Sequence, residues 1–169
     1  MNLLKYFLMG AVIIGAWTAG SVFAIESHEE PSVIFLMGPA VDKSTFNGKT
    51  TYGSSIAVEF TAIEHQLEIE VGAQYMSSAS PQVMGSQIIF KKPFQLAPTV
   101  ELGLGLGPNM SRKVRAGDSH WQTGIAFSAD LMVWPTKKLG WYASPEYVHG
   151  LNSRSDRSLG LSIGLLFPM

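Results

Sequence analysis

Cysteine is absent from the 169 residues. That excludes a disulfide scaffold, a thiolate metal site, a cysteine nucleophile and a lipid-bearing cysteine. Charge is scarce as well: Asp, Glu, Lys and Arg make up 15% of the chain, against roughly 25% in an ordinary soluble domain. Neither sign dominates, since 12 Lys+Arg and 13 Asp+Glu leave a formal charge of −1. A general nucleic-acid binder needs a basic face, so that class is disfavoured. Long apolar runs are missing except at the very start, which excludes a bundle of membrane helices. What is plentiful is glycine (17) and aromatics (9 Phe, 5 Tyr and 4 Trp).

The single apolar run reads as a secretory signal peptide over residues 1–24. Lys5 supplies its positive start, Tyr6 to Trp17 its apolar centre, and Val22-Phe23-Ala24 the small-x-small cleavage site. Residues 25–32 form a short acidic tail with Glu26, Glu29 and Glu30. His28-Glu29-Glu30 offers too few ligands for a metal site. The remaining span, 33–169, is one domain.

In that domain the dominant period is two. Val100, Leu102, Leu104 and Leu106 alternate with Glu101, Gly103, Gly105 and Gly107. A helix would scatter these leucines around its circumference, whereas a strand puts them on one face. The same alternation predicts strands at 55–61, 67–75, 87–91, 121–131 and 158–167, with less regular ones at 33–38 and 139–148. Most span about 9–11 residues, enough to cross a bilayer when tilted. Gly103-x-Gly105-x-Gly107 lies in strand period before Pro108 and opens no helix, so it is not a phosphate loop.

The two faces differ in kind. One carries Leu, Ile, Val, Phe and Trp. The other carries Gly, Ser, Ala and Thr with a few acids. Small residues suit a narrow lumen and bulky apolar ones suit lipid. The expected fold is therefore all-β: an eight-stranded antiparallel up-and-down transmembrane barrel. Short turns are predicted at 63–66, 93–96 and 135–138, and longer polar loops at 39–51, 108–119 and 150–157. Both termini then fall on the short-turn side. Phe60, Phe90, Phe94, Trp134, Trp141 and Phe167 form a predicted lower aromatic girdle, with Tyr52, Tyr75, Trp121 and Tyr147 above.

On the predicted inner face, Glu59, Glu68, Glu70, Lys91, Glu101 and Asp130 form a polar cluster. Lys91 is the compensating group, with its strand beside Glu68 and near Glu101. One ammonium cannot neutralise five carboxylates, so the rest must be solvated, protonated or cation-bound. Arg112, Lys113, Arg115, Arg154 and Arg157 fall in the predicted long loops, where guanidinium groups suit lipopolysaccharide phosphates. His120 and His149 are predicted on opposite faces, which argues against a shared catalytic or metal site. No catalytic residue and no cofactor is assigned.

Three stretches carry a family resemblance: Phe90-Lys-Lys-Pro-Phe94, Pro98-Thr-Val-Glu-Leu-Gly-Leu-Gly-Leu-Gly-Pro108, and Trp134-Pro-Thr-Lys-Lys-Leu-Gly-Trp-Tyr142. With the alternation, they resemble small outer-membrane β-barrel proteins of the outer-membrane-protein-A-like or porin-like superfamily. The resemblance implies a Gram-negative cell envelope, insertion by the barrel assembly machinery, contact with outer-membrane lipid and a monomer, but no reaction. Family members commonly end in an aromatic residue, and here Phe167 stands two places earlier. The expected role is structural, or surface contact through the loops. One alternative is a narrow cation- or proton-responsive channel using the inner carboxylates. A second is a soluble periplasmic lipocalin-like carrier of an apolar ligand.

Overall fold

The computed structural model describes residues 32–77, 82–115, 118–151 and 157–169. The leader, nearly all of the acidic tail and Arg154 lie outside the described residues. Eight strands follow in order: β1 (Val33–Ser44), β2 (Thr50–Ile63), β3 (Leu67–Met76), β4 (Gln82–Ala97), β5 (Val100–Arg115), β6 (Asp118–Thr136), β7 (Leu139–Gly150) and β8 (Arg157–Pro168). Each pairs antiparallel with its neighbours, and β8 returns to β1 to close a barrel. Closure leaves no sheet edge.

Alternation assigns every strand two faces. On β5, Glu101, Gly103, Gly107 and Asn109 are buried while Leu104, Leu106 and Met110 are exposed. On β3, Glu68, Glu70 and Gly72 are buried while Val71 and Tyr75 are exposed. Outward side chains as large as Phe90 and Leu106 are 46% and 57% exposed. A water-soluble barrel would bury such groups.

Three gaps in the hydrogen-bonded ladders coincide with prolines. Between β1 and β8 the pairing skips from Met37↔Leu165 to Ala40↔Ser162, at Pro39. Between β4 and β5 it skips from Gln87↔Asn109 to Phe90↔Leu106, at Pro108. Between β6 and β7 it skips from Ser128↔Glu146 to Leu131↔Ala143, at Pro145. Proline lacks the N–H that the ladder needs, so the pairing opens there. At two of these gaps the preceding residue is glycine. A Cβ on Gly38 would lie 2.0 Å from the Ile163 carbonyl oxygen, and one on Gly107 would lie 1.8 Å from that of Ile88. Each Gly-Pro step therefore lets neighbouring backbones approach and bend.

Several sequence expectations need correction. Strands run from 10 to 19 residues, not 9–11. Pro93 pairs with Gly103 inside the β4–β5 ladder, so the turn expected at 93–96 falls at Pro98-Thr99. The long loop expected at 108–119 is largely strand: β5 and β6 pair from Pro108↔Ile125 up to Arg115↔Asp118. Likewise β1 extends to Ser44 and β2 begins at Thr50, so the expected 39–51 loop shrinks to its tip. Prolines and charges marked loops in the sequence, but here they stand in strands that rise past the apolar belt.

The inner face is also less uniformly small than expected. Ile34, Leu36, Met132, Tyr142 and Leu166 form a buried apolar cluster, with Ala57 and Trp134 packed against it. Trp134 thus turns inward at the short-turn end and leaves the predicted lower girdle. Its even position places it on the same side of β6 as Asp130 and Met132, so the strand alternation itself turns it inward.

Candidate functional site

The interior is built by residues that the two-residue period turns away from lipid. β2 and β3 are joined by the turn at 64–66, where His65 adopts a left-handed φ of 57°. That turn sets Glu59 directly across from Glu70. Two like charges facing across a ladder repel each other. β4 then brings Lys91 inward and β6 brings Asp130 from across the lumen.

The four side chains meet. Lys91 Nζ lies 2.7 Å from Glu59 Oε2, 2.6 Å from Glu70 Oε2 and 2.5 Å from Asp130 Oδ2. Asp130 also accepts hydrogen bonds from the Ser144 hydroxyl and, at 3.3 Å, from Ser128 Oγ. Glu59 Oε1 is buried with no hydrogen-bond partner. Three carboxylates around one ammonium leave formal negative charge in excess.

Glu68 and Glu101 are buried as well, at the second positions of β3 and β5, nearer the short turns. The sequence reading placed Lys91 beside these two. The structure sends the ammonium instead to Glu59, Glu70 and Asp130. Glu68 stands opposite the Lys91 backbone, beside the root of the side chain. The four-carbon stem carries Nζ to the barrel axis, where β2, β3 and β6 converge.

Above this cluster runs a second polar layer, outside the six inner residues singled out from the sequence. Asn109 Nδ2 donates to Gln87 Oε1 at 3.2 Å, and Gln87 Nε2 donates to Glu146 Oε2 at 2.7 Å. Ser55 Oγ and Tyr142 Oη are 3.3 Å apart. A cavity of about 50 Å³ lies among Ser55, Glu70, Gln87, Tyr142, Ser144 and Glu146. A water needs roughly 10–15 Å³ by this measure, so a few fit. Inward parity and a polar type were the available signals for Gln87 and Asn109, but nothing in the sequence showed that they would meet.

Below the cavity the lumen is filled. Lys91, Glu59, Asp130, Ile89, Met132 and Leu166 are each less than 2% exposed. These side chains are almost wholly shielded from water. Eight-stranded barrels are just wide enough for side chains to fill.

The basic residues separate by face. Arg112 and Lys113 stand in β5 and Arg157 opens β8. The backbone of Arg115 ends β5. Arg112 points outward: its guanidinium carbon lies 5.8 Å from the Trp121 ring centre, and Nη2 donates to Ser119 Oγ at 3.3 Å. Lys113 occupies an inward position. His120 and His149 fall on opposite faces, and His149 Nδ1 lies 3.4 Å from the outward Tyr147 hydroxyl. No group of three His, Asp or Glu side chains able to hold a metal occurs among the described residues.

Solved structures with this architecture were found by comparison of coordinates. Neisserial surface protein A superposes with a TM-score of 0.61 at 16% identity, covering 82% of this chain and 97% of that one. The attachment invasion locus protein Ail of Yersinia pestis gives 0.59 at 16% identity, covering 82% and 98%. The outer membrane protein OprG of Pseudomonas aeruginosa gives 0.64 at 9% identity, covering 85% and 98%. The fold is that of the small outer-membrane β-barrels. Ail has also been solved with the heparin analogue sucrose octasulfate. No protein-family model and no curated protein matches the sequence. At these identities the likeness establishes the shared fold and carries no ligand or activity across.

Proposed function

We propose that this chain is an exported outer-membrane barrel with a structural and surface-contact role, and not a conducting pore, a carrier or an enzyme. The observation that carries this reading is the two-sidedness of the strands. Bulky apolar side chains cover the outer wall, while every strand carboxylate among the described residues sits on the inner face: Asp42, Glu59, Glu68, Glu70, Glu101, Asp118, Asp130 and Glu146. That distribution suits lipid outside and a sealed polar lumen inside. A lipocalin-like carrier would need the reverse, an apolar interior large enough for a ligand. An open channel would need a water-wide path past Lys91. In this reading residues 1–24 are the signal peptide, the assembly machinery inserts the barrel, and the lower apolar cluster with the Lys91 cluster holds it shut. Surface contact falls to the basic residues of the long-loop end. The complex of Ail with the heparin analogue sucrose octasulfate is a precedent for a barrel of this fold meeting an anionic ligand.

Two measurements test the reading together. Heated and unheated outer-membrane fractions are run in mild SDS. The folded barrel is expected to migrate differently until heated, because its closed ladder gives detergent no edge. In planar bilayers the purified protein is expected to add no steady conductance. Recovery as a soluble periplasmic protein with no mobility shift would overturn the membrane reading. A shifted band with steady cation-selective current would overturn the sealed lumen and favour the channel.

A further inference from the structure

Among the described residues, the strands carry charge of one sign only on the outer wall. All strand carboxylates among the described residues face inward, whereas Lys43, Lys92, Arg112 and Arg157 face outward, by the alternation that exposes Met37, Phe90, Leu106 and Leu159 on the same strands. Lys92 lies toward the short turns and donates to the His65 carbonyl at 2.9 Å. The other three share a height. Lys43 stands ten positions above Val33 on β1, Arg112 ten above Leu102 on β5, and Arg157 ten above Phe167 on β8. At about 3.4 Å per residue and a tilt of about 40°, ten positions rise about 26 Å. An outer-membrane barrel's apolar belt is about 25 Å tall. The three cations therefore mark the belt's upper margin, where headgroup phosphates stand.

Their local settings fit that role. Lys43 pairs with Leu159, and Arg157 lies two residues farther along β8. The two side chains are diagonal neighbours on one face, within about 7–8 Å. Two cations this close repel each other, and no strand carboxylate among the described residues faces outward. On the far side of the barrel, Arg112 is held over Trp121 and by Ser119, with outward Met84 its cross-strand partner on β4. A guanidinium fixed this way presents its remaining N–H groups toward lipid, and guanidinium matches a phosphate's paired oxygens.

We infer that the upper outer wall binds phosphate-bearing anionic lipid of the long-loop-side leaflet at two places, Lys43 with Arg157 and Arg112 with Trp121. This rests on the transmembrane reading above and adds a ligand class and residues to it. Lys113, one position from Arg112, has no part in it because it faces inward. Lys43 joins although it was not among the basic residues singled out from the sequence.

The test uses protein purified from membranes and reconstituted into phosphatidylcholine vesicles. Each preparation holds a trace of spin-labelled phosphatidic acid or spin-labelled phosphatidylcholine. The electron-spin-resonance component from lipid immobilised on the barrel gives the relative association of each. Phosphatidic acid is expected to be favoured about twofold to fivefold at low salt, from about a fivefold gain per well-placed cation diluted over the whole belt. The preference should fade in 0.5 M salt. The triple variant K43Q/R112Q/R157Q should bind both lipids alike, and its heat-shifted gel band reports that it folds. Equal association in the unaltered protein would overturn the inference whatever the variant does, as would a folded triple variant that keeps the preference. Absence of any immobilised component for either lipid would overturn the transmembrane reading itself.

Discussion

Replacing Lys91 by methionine keeps the unbranched stem of the side chain and removes its charged end. In the folded barrel, Glu59, Glu70 and Asp130 then face one another without the ammonium that sits 2.5–2.7 Å from each. Lys91 is less than 2% exposed, so water cannot take its place without rearranging the lumen. Removing one partner of a buried pair typically costs about 3–5 kcal/mol, and here three carboxylates lose the same partner. With an m-value of about 2 kcal/mol per molar urea, a loss of about 4 kcal/mol moves the unfolding midpoint down by about 2 M. Urea titration of vesicle-embedded protein, followed by tryptophan fluorescence and the heat-shifted band, measures it. The decisive companion is K91M/E59Q/E70Q/D130N. If the loss is electrostatic, removing the carboxylates should restore most of the midpoint, because uncharged hydrogen-bonding groups tolerate one another. A K91M midpoint within about 0.5 M of the unaltered protein (about 1 kcal/mol by the same slope) would refute the assignment of Lys91 as the counter-ion. A quadruple variant as unstable as K91M would show that the unbalanced carboxylates are not the cause of the loss.

Gly107→Ala should be far costlier than a surface glycine change, because its Cβ would lie 1.8 Å from the Ile88 carbonyl oxygen; a loss of at least about 3 kcal/mol, the upper range for overpacking, should appear in the same urea titration. Leu106→Arg places a charge near mid-height on the outer wall and should cost about 2–4 kcal/mol. Gly103→Ser on the inner face of the same strand meets only ordinary contacts at 3.6 Å or more and should shift the midpoint by less than about 0.3 M, within the usual range for tolerated substitutions. Equal effects from these last two would mean that the faces of β5 are misassigned. Met132→Ser with Leu166→Ser thins the buried apolar cluster and is expected to admit flickering current in planar bilayers where the unaltered protein gives none.

Much of the architecture was legible in the sequence because a barrel writes its two solvents into a period of two. β3 and β5 reveal both faces residue by residue, and the facing of Glu59 and Glu70 follows from the short turn between their strands. Other features depend on information that alternation does not hold. Pro93 and Pro108 read as turn residues because proline lacks a ladder donor, yet both stand in strands, Pro108 at a gap where its ladder opens. Lys91's partners depend on where a long flexible stem ends in a curved lumen, which backbone register alone does not fix. Trp134 is a different case: it shares the inward parity of Asp130 and Met132, and grouping aromatics by height alone passed over that signal. The Lys43–Arg157 neighbourhood exists only because the last strand closes on the first, a contact across the whole length of the domain.

The same register logic explains why a filled lumen contains charge at all. The lower interior shows that apolar side chains can fill this barrel: Ile34, Leu36, Met132, Tyr142 and Leu166 do so on the wall made by β6, β7, β8 and β1. Filling β2 to β5 the same way would make both faces of those strands apolar, and a one-residue slip would then cost little. With the native residues, a slip of β3 turns Glu68, Glu70 and Gln74 toward lipid and drives Ile69, Val71 and Tyr75 into the lumen. A basic side chain at the bilayer midplane costs about 2–4 kcal/mol and an acidic one somewhat less, so two misplaced carboxylates remove several kcal/mol from a total stability of about 5–15 kcal/mol. The slip also separates both acids from Lys91. β4 alone carries a near-degeneracy, because Lys91 and Lys92 would exchange faces. Its register is held instead by Gln87 and Gln95 on one side and by Ile88, Phe90 and Phe94 on the other. The buried charges thus contribute less to stability than to selecting one register among several that the apolar pattern alone would tolerate.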